Sequence, residues 1–183
     1  MKVYRVRNDV NRFQYFLTET RDDEEKLRMD CSLLSENWVP PSVFIYKPML
    51  QKGDFFNFGS SALICSPRAT EVLYYHLSIA GELLPLPYKD ETLTLLNVTE
   101  CIDCLDINKM RNLHGGISKV PLLLKEYEFY SDRFSDSDLF KIPETHKGEI
   151  LVVEGRKDPE DEFMHTVKST GLRGLIFEKV WEQ

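Results

Sequence analysis

Short strand-like segments follow one another along most of this chain, and only two segments carry clear signals of a helix start. The first follows the apolar residues 62–65, where Ser66-Pro67 joins a capping side chain to a proline at the first helical position. The second is Asp158-Pro159, which combines the same two features. Because helices and strands do not alternate regularly and no repeat is present, we predict an α+β fold. We expect one domain over residues 1–183, with a mainly antiparallel sheet and two principal helices.

The predicted strands alternate apolar and polar residues or form short apolar runs. They comprise residues 2–7, 13–17, 43–46, 62–65, 93–98, 139–142, 150–153 and 175–180. We expect 13–17 to pair with 2–7 across the polar turn Asn8-Asp9, and 102–105 to continue the strand at 93–98 or to pair with it.

The predicted helices each have one apolar face. In the first, which ends at Gly81, this face comprises Val72, Leu73, Tyr75, His76, Ile79 and Ala80. We interpret His76 as a hydrogen-bonded core or boundary residue rather than a ligand. In the second, Phe163, Met164 and Val167 form the buried stripe and Gly171 ends the helix.

The composition is that of a globular protein with a substantial core. Apolar residues make up 42% of the 183 residues and aromatic residues 11%, which argues against a disordered chain. The start MKVYRVRNDV lacks the apolar region of a secretion signal, and no stretch approaches the roughly 18 apolar residues of a membrane span. We therefore expect a cytoplasmic protein that does not contact membranes, with its four cysteines reduced and mostly buried.

The charge distribution favours some partners over others. Lys and Arg number 23 against 30 Asp and Glu, a formal net charge of -7. Acidic residues cluster at Asp22 to Glu25, at Asp132, Asp136 and Asp138, and at Asp158, Glu160, Asp161 and Glu162. Such a surface repels nucleic acid, whose binding needs basic residues, but it attracts a basic protein. Alternatively, each cluster is only a solvated turn or helix start.

Cys101 and Cys104 form a C-x-x-C pair, which is half of a structural zinc site. A second pair is absent, and the motif follows a strand pattern rather than opening a helix, as a redox motif would. We therefore interpret both residues as buried cysteines of a sheet, and we predict no metal and no cofactor.

Three carboxylates lie close to this pair in the sequence: Glu100, Asp103 and Asp106. With His114 they suggest an alternative function, that of a small metal-dependent hydrolase. No phosphate-binding loop or nucleophile elbow accompanies them. We therefore favour a structural role for Asp103 and Asp106, in which short acidic side chains accept hydrogen bonds from backbone amides.

Four strings, in order along the chain, resemble a bacterial protein family. They are ICSPRATEVL at 64–73, LNVTECIDCLD at 96–106, DSDLFKIPE at 136–144 and GLRGLIFEKVW at 171–181. Together they resemble the polymorphic-toxin immunity family eleven, long catalogued as a domain of unknown function. The resemblance covers residues 60–182, whereas the variable N-terminal segment, residues 1–60, matches only loosely, through PPSVF at 40–44. It implies a protein that is not an enzyme and that neutralises a cognate toxin by tight binding in the cytoplasm.

A binding role predicts exposed anchor residues, since tryptophan and tyrosine dominate binding hot spots. The candidate aromatic anchors are Trp38, Tyr88, Tyr127 and Tyr130, and the candidate acidic contacts to a basic toxin are Asp132 and Asp136. The oligomeric state stays open, and a self-associating structural module is a third possible function.

Overall fold

The computed structural model describes residues 1–27, 29–58, 61–113 and 127–183. Within these ranges the strands are β1 (Lys2–Asn8), β2 (Phe16–Thr18), β3 (Val43–Ile45), β4 (Phe55–Asn57), β5 (Leu63–Cys65), β6 (Gly81–Tyr88), β7 (Glu91–Val98), β8 (Leu139–Phe140), β9 (Leu151–Glu154) and β10 (Leu175–Glu182). The helices are α1 (Arg21–Lys26), α2 (Pro67–Val72), α3 (Tyr74–Ala80), α4 (Ile107–Leu113) and α5 (Phe163–Ser169), with short 3₁₀ turns at Ser35–Asn37, Ser131–Arg133, Pro143–Thr145 and Pro159–Asp161.

In the described ranges the strands form three antiparallel sheets, which confirms the predicted α+β class. One four-stranded sheet has the order β10-β1-β9-β8, a second has the order β4-β5-β7-β6, and β2 pairs with β3 alone. The largest cluster of buried side chains draws on both four-stranded sheets and on α2, α3 and α5, including Val152, Leu96, Leu77 and Phe163. None of the described helices has the length and apolar character needed to cross a membrane.

The predicted pairing of residues 13–17 with the first strand is wrong. β1 lies between β10 and β9, so that Val3 faces Trp181 on one side and Val153 on the other. Over Lys2–Arg5 both edges of β1 are therefore occupied, and β2 pairs instead with β3, where Leu17 faces Phe44. The burial of β1 as a central strand therefore decides its partners, and the polar turn at Asn8-Asp9 does not.

The first predicted helix begins as expected but divides in two. Ser66 Oγ accepts a hydrogen bond from the Ala69 amide at 3.1 Å, which confirms the cap. At Leu73 the backbone leaves helical geometry, so α2 and α3 are offset. Leu73 is buried as predicted, whereas Val72 and Tyr75 are exposed, Tyr75 by 64%.

The second predicted helix begins later than expected. Asp158-Pro159 opens only a 3₁₀ turn, and α5 starts at Phe163. The carboxylate of Glu162 accepts hydrogen bonds from the amides of Gly155 and Arg156, which holds the chain extended at that point. The predicted buried stripe of Phe163, Met164 and Val167 is confirmed.

Candidate functional site

The outer side of the β2–β3 pair carries a cluster of exposed and partly exposed apolar side chains. Leu17 and Phe44 are register partners and are 40% and 39% exposed. Next to them, Tyr15 and Tyr46 lie with ring centroids 5.5 Å apart, and the Tyr46 amide donates to the Tyr15 carbonyl at 3.0 Å. We call these four side chains the β2–β3 face.

The opposite side of the same strands is part of the core. Phe16 is 1% exposed and packs edge to face on Phe56, with centroids 5.3 Å apart. Val43 is also buried. In an antiparallel pair with one buried side, the outward side is normally polar, so the apolar β2–β3 face is unusual.

Acidic side chains border one end of the β2–β3 face. Glu19 continues the pairing beyond β2, and its amide donates to the Ser42 carbonyl at 2.9 Å. Helix α1 follows at once and is capped by Thr20, whose Oγ1 accepts from the Asp23 amide at 3.1 Å. Asp22 and Glu24 in the first turn of α1 are exposed. Negative charge is favourable at this helix end, so the fold itself stabilises the acidic border.

A cleft of about 430 Å³ adjoins the β2–β3 face on the side of α1. Its walls include Leu17, Glu24, Leu27, Met29 and Phe58. A mostly apolar cleft with a carboxylate at its wall suits a long side chain that has an apolar stem and a positive end.

Two of the predicted anchors support this region from within. Trp38 is half-buried, and its Nε1 donates to the Pro85 carbonyl at 2.8 Å. Tyr88 is also half-buried and packs edge to face on Phe16, with centroids 4.8 Å apart. Both side chains pack against the hydrophobic cluster under the β2–β3 face.

The prediction that Tyr127 is exposed is wrong, because only 2% of it is accessible. Its hydroxyl donates to Glu149 and accepts from Arg5 Nη2 at 3.1 Å. Arg5 also donates from Nε to Glu149 and from Nη1 to Glu178 at 3.1 Å. Burial, followed by the hydrogen bond to Glu149, raises the pKa of Tyr127. This network joins Arg5 of β1 and Glu178 of β10 to Glu149, which precedes β9, and to Tyr127.

The remaining predicted contacts lie on a different side of the molecule. Tyr130 is half-buried beneath the Arg133 guanidinium, whose carbon is 4.2 Å from the ring centroid. Asp132 and Asp136 are exposed, as expected. Asp138, which belongs to the same acidic cluster, is 3% exposed, so the expectation that the whole cluster is solvated is wrong. The structure therefore does not gather the predicted anchors into one surface.

The C-x-x-C pair lies in the loop between β7 and α4, and the predicted strand at 102–105 is replaced by isolated bridges from Cys101 to Lys141 and from Leu105 to Phe129. Cys104 is buried, which raises its thiol pKa to about 12. Cys101 is exposed, so the interpretation of both residues as buried cysteines of a sheet is wrong. The described residues contain no group of three or more candidate metal ligands.

The carboxylates of the hydrolase alternative have separate surroundings. Asp106 caps α4, with Oδ1 accepting from the Lys109 amide at 3.0 Å. This hydrogen bond lowers the pKa of Asp106, and the predicted structural role is confirmed for that residue. Asp103 has a side chain that is 76% exposed and lies 3.8 Å from Arg133. His114 lies outside the described residues, and the hydrolase function stays a prediction.

A second cleft, of about 350 Å³, lies between β1 of one four-stranded sheet and β4 and β5 of the other. Arg5, Arg7, Asn57 and Glu149 contribute polar groups to its walls. Asn8 Nδ2, also at this cleft, is buried and has no hydrogen-bond partner among the described residues. The polar groups of Arg5 and Glu149 are already engaged with each other and with Tyr127, so we assign them to the stability of the fold.

Comparison with known protein families and with curated proteins finds no match to this chain.

Proposed function

We propose that this protein is an immunity protein that binds a cognate bacterial toxin and neutralises it by protein–protein contact. The observation that carries the proposal is the β2–β3 face, where Leu17, Phe44, Tyr15 and Tyr46 present apolar and aromatic surface next to acidic residues. Aromatic side chains on a rigid strand pair lose little conformational entropy on binding, and a contiguous exposed apolar patch is typical of an interaction site.

The acidic residues at one end of the face favour a basic partner there. Glu19, Asp22 and Glu24 border it, and the chain has a formal net charge of -7. Complementary charge speeds encounter and orients the partner, while the apolar centre supplies affinity. The adjoining cleft with Glu24 at its wall fits an arginine or lysine side chain of the toxin.

The family resemblance supports the same function from another direction. The strings that carry it lie largely in the core framework, since 64–73 covers most of β5 and all of α2, and 171–181 covers most of β10. Three of the four residues of the β2–β3 face, Tyr15, Leu17 and Tyr46, lie outside the strings that carry the resemblance, whereas Phe44 ends the loosely matching PPSVF at 40–44. A contact surface that lies mostly outside the strings of the framework suits recognition of one particular toxin.

Co-expression with the product of the adjacent gene tests the proposal. We expect the two proteins to co-purify and the toxicity of the neighbouring product to be relieved. The variant Phe44→Asp places a charge in the apolar centre and is expected to abolish both effects, whereas Tyr74→Asp, at a more exposed site on α3, is expected to preserve them.

The outcomes separate the function from the surface. If no neighbouring product binds or loses toxicity, the proposed function is wrong. If the toxin binds and Phe44→Asp binds equally well, the function stands and the β2–β3 face is not its surface. Light scattering adds a third outcome, because a dimer that Phe44→Asp dissociates would show that a second copy of the chain covers the face.

A further inference from the structure

The segment around Cys31 is clamped by side chains from distant regions of the chain. Lys141 is completely buried, and its Nζ donates to the Met29 carbonyl at 2.7 Å. Lys147 Nζ donates to the Asp30 carbonyl at 2.8 Å, and Asn97 Nδ2 donates to the Ser32 carbonyl at 2.8 Å. Cys31 itself has a φ of 68°, a backbone conformation that residues other than glycine rarely adopt. The fold therefore holds this cysteine in one position.

Cys101 meets Cys31 at this point. Cys101 and Lys141 are paired across an isolated β-bridge. Cys101 is exposed, whereas Lys141 is buried. The side chain of Cys101 lies beside that of Cys31, and the buried Lys141 reaches the same segment through its hydrogen bond to the Met29 carbonyl. Two thiols and one cation thus converge from three separate segments.

The different exposure of the two thiols assigns them different roles. Burial, and then the neighbouring Cys101, raises the pKa of Cys31 to about 11. Burial lowers the pKa of Lys141 to about 8, and the two thiols oppose this effect. Lys141 therefore carries positive charge over most of its population at neutral pH. The accessible Cys101 is the thiol that meets a solvent oxidant first, and Cys31 is the partner held beside it.

We propose that Cys31 and Cys101 form an oxidisable dithiol that a peroxide converts to an intramolecular disulfide. The Cys101 thiolate attacks one peroxide oxygen, the O–O bond breaks, and sulfenic acid and hydroxide form. The Cys31 sulfur then attacks the Cys101 sulfur, the S–O bond breaks, and the Cys31 proton leaves with the hydroxyl as water. In sum, two thiols and one hydrogen peroxide give one disulfide and two waters.

The other two cysteines do not compete for this reaction. Cys65 is buried with its pKa raised to about 12 by burial, and Cys104 is buried as well. The disulfide links the segment that follows α1 to the loop that follows β7 and closes a loop of about 70 residues. A loop of that size is expected to raise the Tm by about 10 °C.

Peroxide treatment of the reduced full-length protein, followed by mass spectrometry, tests the proposal. We expect a loss of about 2 Da, a crosslinked peptide that contains Cys31 and Cys101, and a higher Tm that dithiothreitol reverses. Cys104→Ser serves as the matched control and is expected to behave like the natural protein. Cys101→Ser is expected to lose the reaction altogether.

Cys31→Ser removes only the partner thiol. In this variant we expect Cys101 to oxidise further and gain about 32 Da as sulfinic acid, because no second thiol intercepts the sulfenic acid. The proposal is overturned if the natural protein gains that mass at Cys101 without a crosslink. It is equally overturned if the disulfide joins Cys101 to Cys104, or if it joins two chains.

Discussion

Leu17 on β2 and Phe44 on β3 are direct register partners, and both side chains point to solvent. Cross-strand apolar pairs stabilise a sheet by contact with each other. This pair, however, keeps about two fifths of its surface in water, next to the equally outward Tyr46. This apolar area stays in contact with water in the free protein, and association with a partner would bury it.

Truncation of Tyr46 is expected to weaken toxin binding. The variant Tyr46→Ala removes a side chain that is 52% exposed and contacts only Tyr15 among the described aromatic rings. We expect the Kd to rise about 30-fold, the effect of losing a hot spot of about 2 kcal/mol. Tyr74→Ala, which removes a tyrosine that is 61% exposed on α3, is the control and should leave Kd unchanged. Isothermal titration calorimetry measures both, and equal losses in the two variants would contradict the docking surface.

Neutralising the acidic border is expected to slow association. In the double variant Asp22→Asn/Glu24→Gln, we expect kon to fall about tenfold at low salt and the difference to shrink as salt is added. The control Glu160→Gln/Asp161→Asn removes the same charge from an exposed acidic cluster elsewhere. Stopped-flow measurements at several ionic strengths distinguish the two. An equal effect from both variants would mean that only net charge matters.

Removing one hydroxyl from the buried network is expected to destabilise the fold. Tyr127→Phe keeps the ring and its stacking on Phe129, 5.5 Å away, but leaves Arg5 and Glu149 each without one hydrogen bond. Because both charged groups are buried, we expect the free energy of unfolding to fall by about 1–3 kcal/mol. Urea denaturation measures it. The control Tyr74→Phe, at the surface, should change stability by less than about 0.5 kcal/mol, and a similar result for Tyr127→Phe would show that the network contributes little.

The features that the sequence predicts correctly are local ones. The Ser66 cap depends on residues three positions apart, and Asp106 caps α4 in the same way. The strand at 2–7 and the strand at 175–180 follow from alternation within each segment. Such signals need no knowledge of the rest of the chain, so a single sequence carries them.

The features that the sequence does not predict depend on which distant segments contact each other in the fold. Arg5, Lys141 and Glu149 are common surface residue types, yet each is almost completely buried, because a partner from a distant segment satisfies it. The β2–β3 face escapes prediction for the same reason. The turn signal favours pairing of 13–17 with 2–7, and only pairing with 43–46 places Leu17, Phe44 and both tyrosines on one side.

The pair His76 and Asp138 predicts how stability depends on pH. Asp138 Oδ2 accepts from the Phe163 amide at 2.9 Å and lies 3.1 Å from His76 Nδ1, while Oδ1 accepts from Lys157 Nζ at 2.9 Å. Burial alone would raise the pKa of Asp138, but these hydrogen bonds outweigh it and hold the pKa below its ordinary value of 3.8.

Because the pKa of Asp138 is lowered in the folded state, its carboxylate stabilises the fold fully above the ordinary value and progressively less as pH falls through the folded value. We therefore expect Asp138→Asn to reduce the free energy of unfolding most near neutral pH, with the deficit shrinking below about pH 4. Urea titrations between neutral and acidic pH measure this deficit. Asp136→Asn, at an exposed position two residues away, is the control and should follow the natural protein at every pH. A deficit for Asp138→Asn that stays constant down to the lowest pH would show that its ionised form contributes nothing specific to the fold.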